Sequence, residues 1–215
     1  MENFKELVLT HIGIKLSAKQ LEQFSVLAQE LLETNKITNL TAIRDIDSVY
    51  LKHFLDSLTL IKALPEKTKT LIDIGSGAGF PGLPIAIVRP DIEVTMVEST
   101  GKKAAFIKKM IEVLNLKRVH IEYVRAETLA KETKFKEKFD VATARAVAFL
   151  PKLLEYCTPL IHEDGLFIAM KNVNETELEE TKSKLKVFKV NIKEIIPIQI
   201  PELTPRQLIV LHKTK

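Results

Sequence analysis

The stretch "TLIDIGSGAGFPGLPIAIV", residues 70–88, decides the fold. It sets four glycines, Gly75, Gly77, Gly79 and Gly82, between an apolar run and an amphipathic run. A strand, a glycine turn and a helix in this order form the nucleotide-binding arrangement of doubly wound α/β sheets. Glycines in the turn permit positive φ and let a ligand approach the backbone closely. We therefore expect a ligand site at the carboxyl end of this strand.

Strand-like runs alternate with helical runs from Pro65 onward, which predicts βαβ units and a mostly parallel sheet with helices on both faces. The predicted strands are 70–75, 91–99, 118–125, 139–145, 165–171, 186–196 and 206–213, and the predicted helices are 80–88, 101–116, a short helix from Ala126, 148–157 and 175–185. No helix separates the last two strands, so we expect them to pair antiparallel. The fold class is therefore α/β and Rossmann-like, with seven strands.

Residues 1–64 carry only helical signals, so we divide the chain into an N-terminal helical segment, 1–64, and a Rossmann-like domain, 65–215. Ser17 is a good N-cap for a helix whose apolar residues recur at steps of three and four. Asp47 is the predicted cap of the next helix, and Pro65 is expected to end it.

Composition narrows the class of protein further. The 215 residues are 46% hydrophobic, carry a net charge of +4 and include one cysteine, Cys157. A single cysteine excludes an intramolecular disulfide or a cysteine-based zinc cluster. We find no signal peptide, membrane span or metal-ligand spacing, and we expect a cytoplasmic protein. The mild excess of positive charge favours an anionic partner such as nucleic acid.

Two ligands remain possible for the glycine turn. A phosphate-transferring P-loop is excluded, because no Lys-Ser or Lys-Thr follows the glycines. A dinucleotide loop matches Gly77, Gly79 and Gly82, but Pro81 and Pro84 remove N–H donors at the helix start. S-adenosylmethionine has no phosphate, so it depends less on those donors. Asp73 could recognise its ammonium group.

Charged residues follow the other strands at the same predicted edge. Glu98 ends the second strand, 23 residues after Gly75, where a carboxylate can bind ribose hydroxyls. Glu127 follows the third strand, where it and Ala126 could border an adenine ring. Arg145 ends the fourth strand and could contact a carboxylate, a base or a phosphate.

His53 and Asp56 share a face of the predicted helix in "KHFLDSL", three residues apart. Such a pair can take part in acid–base chemistry or join the helix to the larger domain, and we favour the structural role.

Several stretches together resemble the RsmG (GidB) family of bacterial 16S rRNA methyltransferases: "LIDIGSGAGFPGLPIAIVRPD", "VESTGKKAAFIKKM", "RAE", "ATARAV" and "KHFLDSL". The resemblance covers nearly the whole chain. It implies a class I methyltransferase that contacts S-adenosylmethionine through Gly75, Phe80, Ala126, Glu127 and Arg145. To these the residue pattern adds Asp73, Gly77, Gly79 and Glu98.

The resemblance also implies a reaction. The family modifies N7 of the guanine at position 527, in the 530 loop of 16S rRNA, and releases S-adenosylhomocysteine. The expected substrate is a small ribosomal subunit or its precursor, and the expected protein is a monomer. N7 has a free lone pair and no proton to lose, so no general base is needed. Consistently, the N/D-P-P-Y/F segment typical of amine methylation does not occur after the fourth strand, where the chain reads "TARAVAFLP".

Basic residues near the predicted site are the candidates for binding RNA: Lys52, His53, Lys102, Lys103, Lys171 and Arg206. Arg145 is our candidate for orienting the substrate or cofactor. The alternatives are an NAD-dependent oxidoreductase, a methyltransferase acting on another RNA or a small molecule, and a non-catalytic RNA-binding module.

Overall fold

In the computed structural model the chain forms a seven-stranded sheet flanked by helices. The structure describes residues 2–145, 147–172 and 175–214, so Ala146 of the "ATARAV" stretch and the two ends of the predicted domain ranges lie outside the described residues. The strands are β1 (Thr70–Ile74), β2 (Glu93–Glu98), β3 (Val119–Tyr123), β4 (Phe139–Arg145), β5 (Ile161–Lys171), β6 (Val190–Ile198) and β7 (Arg206–Lys213).

The helices precede the sheet or connect its strands. They are α1 (Glu2–Ile12), α2 (Ala18–Thr38), α3 (the consecutive segments Ile46–Ser48, Val49–Leu55, Asp56–Leu58 and Thr59–Lys62), α4 (Gly82–Val88), α5 (Gly101–Val113), α6 (Ala126–Leu129), α7 (Leu150–Cys157) and α8 (Glu175–Lys184). No helix within the described ranges is both long enough and apolar enough to cross a membrane.

The strand order is β3-β2-β1-β4-β5-β7-β6. Strands β1 to β5 are parallel to one another, and β7 is antiparallel to both β5 and β6. The predicted Rossmann-like sheet is confirmed, as is the antiparallel pair that closes the chain. The order reverses at β1, with β2 on one side and β4 on the other, and ligands bind at such switch points in doubly wound sheets. The glycine turn after β1 lies there.

The N-terminal helices start largely where their caps predict. Ser17 Oγ accepts from the N–H of Gln20, and Gln20 Oε1 accepts from the N–H of Ser17, which completes a capping box. The predicted cap of α3 was wrong: Asp45, not Asp47, accepts from the N–H of Ser48. Both are acidic and lie two residues apart, so the pattern alone did not separate them. Residues Val49–Leu55 of α3 form a π-helical segment, a feature frequent at functional sites.

The helices of residues 2–62 do not form a core of their own. Phe24 and Phe54 belong to the same buried cluster as Leu71 of β1 and Met96 of β2. A second cluster covers the opposite face of the sheet, where α7 packs over β1, β4 and β5. The boundary at residue 64 stays a prediction, but the shared core holds α3 rigidly against the carboxyl edge of the sheet.

Candidate active site

A cavity of about 490 Å³ opens at the switch point. One wall is the turn after β1 together with the end of β2, and the other wall is the π-helical part of α3 with the loop that precedes it. The residues lining it are Leu40, Thr41, Lys52, His53, Asp56, Gly75, Ser76, Gly77, Ala78, Phe80, Glu98, Ser99, Lys103, Arg145, Val147 and Arg206. Most of the predicted site residues therefore meet in one place.

The glycines of the turn have different structural roles. All three of Gly75, Gly77 and Gly79 have positive φ. A Cβ on Gly77 would meet nothing within 4 Å, so its backbone borders open space, as a ligand-binding turn requires. A Cβ on Gly79 would lie 2.4 Å from Leu83 Cδ1. Gly79 therefore serves the packing of the turn on α4 and does not line the cavity.

Glu98 is fixed at the end of β2 by backbone donors. Its Oε2 accepts from the N–H of Gly77 at 2.9 Å, and its Oε1 accepts from the N–H of Thr100 at 2.7 Å. The side chain is 6% exposed and lines the cavity. Each carboxylate oxygen has a further lone pair, so the group can still accept from a ligand hydroxyl. This geometry fits the predicted contact with a ribose.

Asp73 is not among the residues that line the cavity, so its predicted contact with the ammonium group of S-adenosylmethionine stays a prediction. Its carboxylate is fully buried, and Oδ2 accepts from the N–H of Gly82 at 2.9 Å, at the start of α4. Burial raises its pKa to about 6, although hydrogen bonds from Ser76 and Gly82 oppose the shift. Since Asp73 already occupies this N–H, the start of α4 is poorly suited to a pyrophosphate. This geometry therefore argues against a dinucleotide as the ligand of the glycine turn.

A second cavity of about 220 Å³ adjoins the first. Ala126 and Glu127 line it, as do Gly75, Ser99 and Val147, which the two cavities share. The hydroxyl of Tyr156 donates to Glu127 Oε1 at 3.0 Å. The Glu127 pKa is lowered, first by its own backbone N–H and then by this hydroxyl. Gly75 of the glycine turn therefore borders both the cavity lined by Glu98 and the cavity lined by Ala126 and Glu127.

A buried carboxylate joins three separate parts of the chain. Asp56 Oδ2 accepts from Arg145 Nη1 at 2.6 Å and from Arg206 Nη1 at 2.9 Å. Arg145 Nη1 also donates to the carbonyl of Lys52 at 3.1 Å. The cluster therefore ties α3 to the end of β4 and the start of β7. Two guanidinium groups face one carboxylate, so the cluster has an excess positive charge beside the cavity.

His53 is held on both sides of its ring. The imidazole stacks on Phe80 with ring centroids 4.4 Å apart and planes 7° apart. Arg145 Nη2 lies 3.3 Å from His53 Nδ1, and Thr41 Oγ1 lies 2.9 Å from Nε2. Burial and the charge of Arg145 lower the His53 pKa to about 3. The ring is therefore neutral at physiological pH.

The predicted RNA-binding residues divide into two groups. Lys52, His53, Lys103 and Arg206 line the cavity. Lys102 is exposed on α5 and lies outside the cavity lining. Lys171 was expected in the same cleft, but its ammonium instead donates to Glu177 and to the carbonyl of Ala148. Lys171 therefore contacts the loop after β4 and is not part of the cavity lining.

Sequence reasoning missed several cavity residues, above all Thr41, Ser76 and Val147. Thr41 lies in a polar connection that showed no pattern by itself. Val147 follows β4, and its Cγ2 would lie 2.6 Å from a Cβ placed on Gly75. Ser76 lies within the glycine turn that the sequence did indicate, and the spacing of His53 and Asp56 indicated α3 without its partners.

Solved structures share the fold at low sequence identity. A ribosomal protein L11 methylase from Lactobacillus delbrueckii subsp. bulgaricus matches with a TM-score of 0.57 and 14% identity, over 76% of this chain and 79% of that one. The [4+2]-cyclase SpnF matches with a TM-score of 0.59 and 14% identity, over 74% and 81%. The match to a cyclase illustrates that a fold does not determine a reaction. What the fold and cavity define is the Rossmann-like class I methyltransferase architecture.

Relatives found by sequence define the family more narrowly than the solved structures do. A family model described as GidB, rRNA small subunit methyltransferase G, matches residues 20–206. The ribosomal RNA small subunit methyltransferase G of Roseiflexus sp. (strain RS-1) is 43% identical over 202 residues, which are 94% of this chain and 86% of that protein. The protein of the same name from Caldanaerobacter subterraneus subsp. tengcongensis is 44% identical over 191 residues, with 88% and 80% covered. The chain belongs to the GidB family of rRNA small subunit methyltransferases.

Proposed function

We propose that this protein transfers a methyl group from S-adenosylmethionine to N7 of the guanine at position 527 of 16S rRNA. The substrate would be presented in a small ribosomal subunit or its precursor. The observation that carries the proposal is the family match over residues 20–206, on a chain whose switch-point cavity suits an adenosine ligand. S-adenosylmethionine supplies the methyl group: an N7–C bond forms, the S–C bond breaks, and its electron pair stays on sulfur.

The residues present fit such a cosubstrate. Glu98 has lone pairs left for ribose hydroxyls, and the backbone at Gly77 borders open space. Ala126 and Glu127 line the adjoining cavity, where an adenine would be held. Phe80 lines the main cavity next to the glycine turn. Arg145 keeps positive charge beside these groups, and we assign it an orienting role.

The titratable groups of the cavity suit a nucleophile that has no proton to lose. His53 is neutral, but its Nδ1 already faces a donor of Arg145. Asp56 accepts from two arginines, and both oxygens of Glu98 accept from backbone N–H groups. Each of these three groups therefore already has a hydrogen-bond donor, although one oxygen of Asp56 stays unpaired. Catalysis would come from positioning the guanine, which is a sufficient source of rate for an in-line transfer.

The test is to map N7-methylguanine in 16S rRNA from cells with and without this protein. We expect one modified site to disappear in its absence. Purified protein should then transfer labelled methyl groups from S-adenosylmethionine to unmodified small subunits. A complete set of N7-methylguanines in the deletion strain would contradict the proposal, and so would binding of NAD in place of S-adenosylmethionine.

Glu98→Gln tests the cosubstrate site within the same assay. The glutamine amide would point an NH₂ group at one of the two backbone N–H donors, so the side chain cannot keep its position. We expect the Kd for S-adenosylmethionine to rise at least tenfold. Glu93→Gln is the matched control, because Glu93 starts the same strand at the opposite, partly exposed end. Equal Kd values in both variants would remove Glu98 from the site.

A further inference from the structure

Thr41 enters the cavity from a loop that is held rigidly. Its backbone N–H donates to Asn35 Oδ1 at 3.0 Å, and its carbonyl accepts from Asn35 Nδ2 at 2.9 Å. The same amide donates to the carbonyl of Ile43 at 3.0 Å. Asn35 is itself 1% exposed at the end of α2. The position of the Thr41 side chain is therefore set before any ligand arrives.

The neighbours of Thr41 decide what its hydroxyl can do. Arginine is only a donor, so Arg145 Nη2 must donate to His53 Nδ1, 3.3 Å away. The proton of the neutral ring then lies on Nε2, which donates to Thr41 Oγ1 at 2.9 Å. The N–H of Ile43 donates to the same oxygen at 3.2 Å. A hydroxyl oxygen has two lone pairs and one hydrogen, so both lone pairs are occupied and only donation remains.

The cavity thus contains a donor of fixed polarity. A free threonine hydroxyl can rotate to donate or to accept a hydrogen bond, but the hydroxyl of Thr41 can only donate. Asp56 holds Arg145, Arg145 sets the tautomer of His53, and His53 sets the direction of the Thr41 hydroxyl. The hydroxyl of Thr41 has no acceptor recorded among the described residues, and Thr41 lines the cavity.

We propose that the Thr41 hydroxyl donates to O6 of the target guanine and so selects guanine over adenine. This inference rests on the proposed function. O6 is the acceptor next to N7 on guanine, whereas adenine carries an N6 amino donor at that place. A donor-only hydroxyl pairs with guanine and opposes adenine. Thr41 lines the cavity from the loop that precedes α3, whereas the glycine turn and Glu98, which we assign to the cosubstrate, line it from the ends of β1 and β2.

The experiment compares two bases at the target position of reconstituted small subunits. One subunit carries guanine, and the other carries 2,6-diaminopurine, which keeps N7 but has an amino group in place of O6. Each is methylated by the wild type and by Thr41→Val, which removes the hydroxyl at nearly constant shape. Thr41→Ser keeps the hydroxyl. Thr38→Val is the matched control, because the Thr38 hydroxyl donates to the carbonyl of Thr34 within α2 and Thr38 is not part of the cavity lining.

We expect the wild type to prefer guanine by about 100-fold or more in kcat/KM, since a site built around a hydrogen bond rejects a base that lacks it. Thr41→Val should lower kcat/KM on guanine by about 10- to 100-fold, because O6 loses its donor. It should not lower kcat/KM on diaminopurine, because the hydroxyl that opposes the amino group is gone. Thr41→Ser should restore most of the preference, and Thr38→Val should match the wild type.

Three results would overturn the inference. One is equal methylation of both bases by the wild type, which needs no variant and so does not depend on whether Thr41→Val folds. Another is a preference that survives in Thr41→Val. A third is a rise in KM for S-adenosylmethionine with the base preference intact, which would assign the hydroxyl to the cosubstrate. Absence of any transfer to guanine by the wild type would instead refute the proposed function, and this inference with it.

Discussion

At the scale of single residues, the carboxylate of Asp56 organises the cavity. It is fully buried, and one of its oxygens accepts from Arg145 and Arg206, which lie 89 and 150 residues further along the chain. Its other oxygen has no partner among the described residues. Removing one partner of a buried ion pair is costly because the remaining charge keeps its desolvation penalty. Stability and site geometry are therefore coupled through this one side chain.

Asp56→Asn should test that coupling directly. The amide keeps the shape but leaves two guanidinium groups facing a neutral side chain, so we expect a loss of about 3–5 kcal/mol in the free energy of unfolding. Urea unfolding at pH 7 measures it. Asp45→Asn on the same helix is the control, because asparagine caps helices as well as aspartate does. A similar small change in both variants would mean that the arginine cluster contributes little to stability.

At the scale of elements, the start of α4 depends on a carboxylate inside the protein. Asp73 accepts from the N–H of Gly82, and burial raises its pKa from 3.8 to about 6. A carboxyl group whose pKa is higher in the folded state binds more protons when folded between these two values. Its contribution is therefore complete below pH 3.8 and is lost as the pH rises through 6. At neutral pH, ionised Asp73 therefore lowers the free energy of unfolding.

Asp73→Asn removes this titration and keeps an oxygen for the Gly82 N–H. Between pH 4 and pH 7.5 the unfolding free energy of the variant should rise relative to the wild type by up to about 3 kcal/mol, which is the shift in pKa expressed as energy. Urea unfolding at the two pH values measures the difference. Asp91→Asn should change in the opposite direction, because a hydrogen bond from Arg89 lowers the Asp91 pKa. A pH-independent difference for Asp73→Asn would show that Asp73 does not titrate as described.

Local sequence patterns predicted the strands and helices better than they predicted the contacts of individual side chains. Alternation and glycine spacing located β1, its turn and α4, because these signals lie within a few adjacent residues. The direction of Asp73 did not follow from spacing: side chains alternate between the faces of a strand, and this one turns towards α4. The contacts among Thr41, His53 and Arg145 join distant parts of the chain, so only the folded structure could bring them together.

At the scale of the whole molecule, the N-terminal helices help to build the candidate active site. Phe4, Phe24 and Phe54 pack in one cluster with Phe80 of the glycine turn, with ring centroids 5.1–6.2 Å apart. The same segment contributes Thr41, His53 and Asp56 to the cavity. The helical segment therefore closes the cavity as well as adding to the core. Its exposed Lys52 also lines the rim, where RNA would arrive.

The charge distribution makes a prediction for the encounter with RNA. Lys103 lines the cavity. Lys19 instead lines a separate groove, together with Lys117 and Arg118 of the loop that precedes β3. This groove lies at the opposite edge of the sheet. Each phosphate neutralised by a lysine adds about −0.7 to the slope of log K against log salt for single-stranded nucleic acid. Lys103→Gln should therefore flatten that slope by about 0.7 for binding to small subunits, and Lys19→Gln should leave it unchanged. Titrations between about 50 and 200 mM salt resolve the difference. Equal slopes in both variants would show that Lys103 contacts no phosphate, since such a contact cannot be lost without releasing fewer counterions.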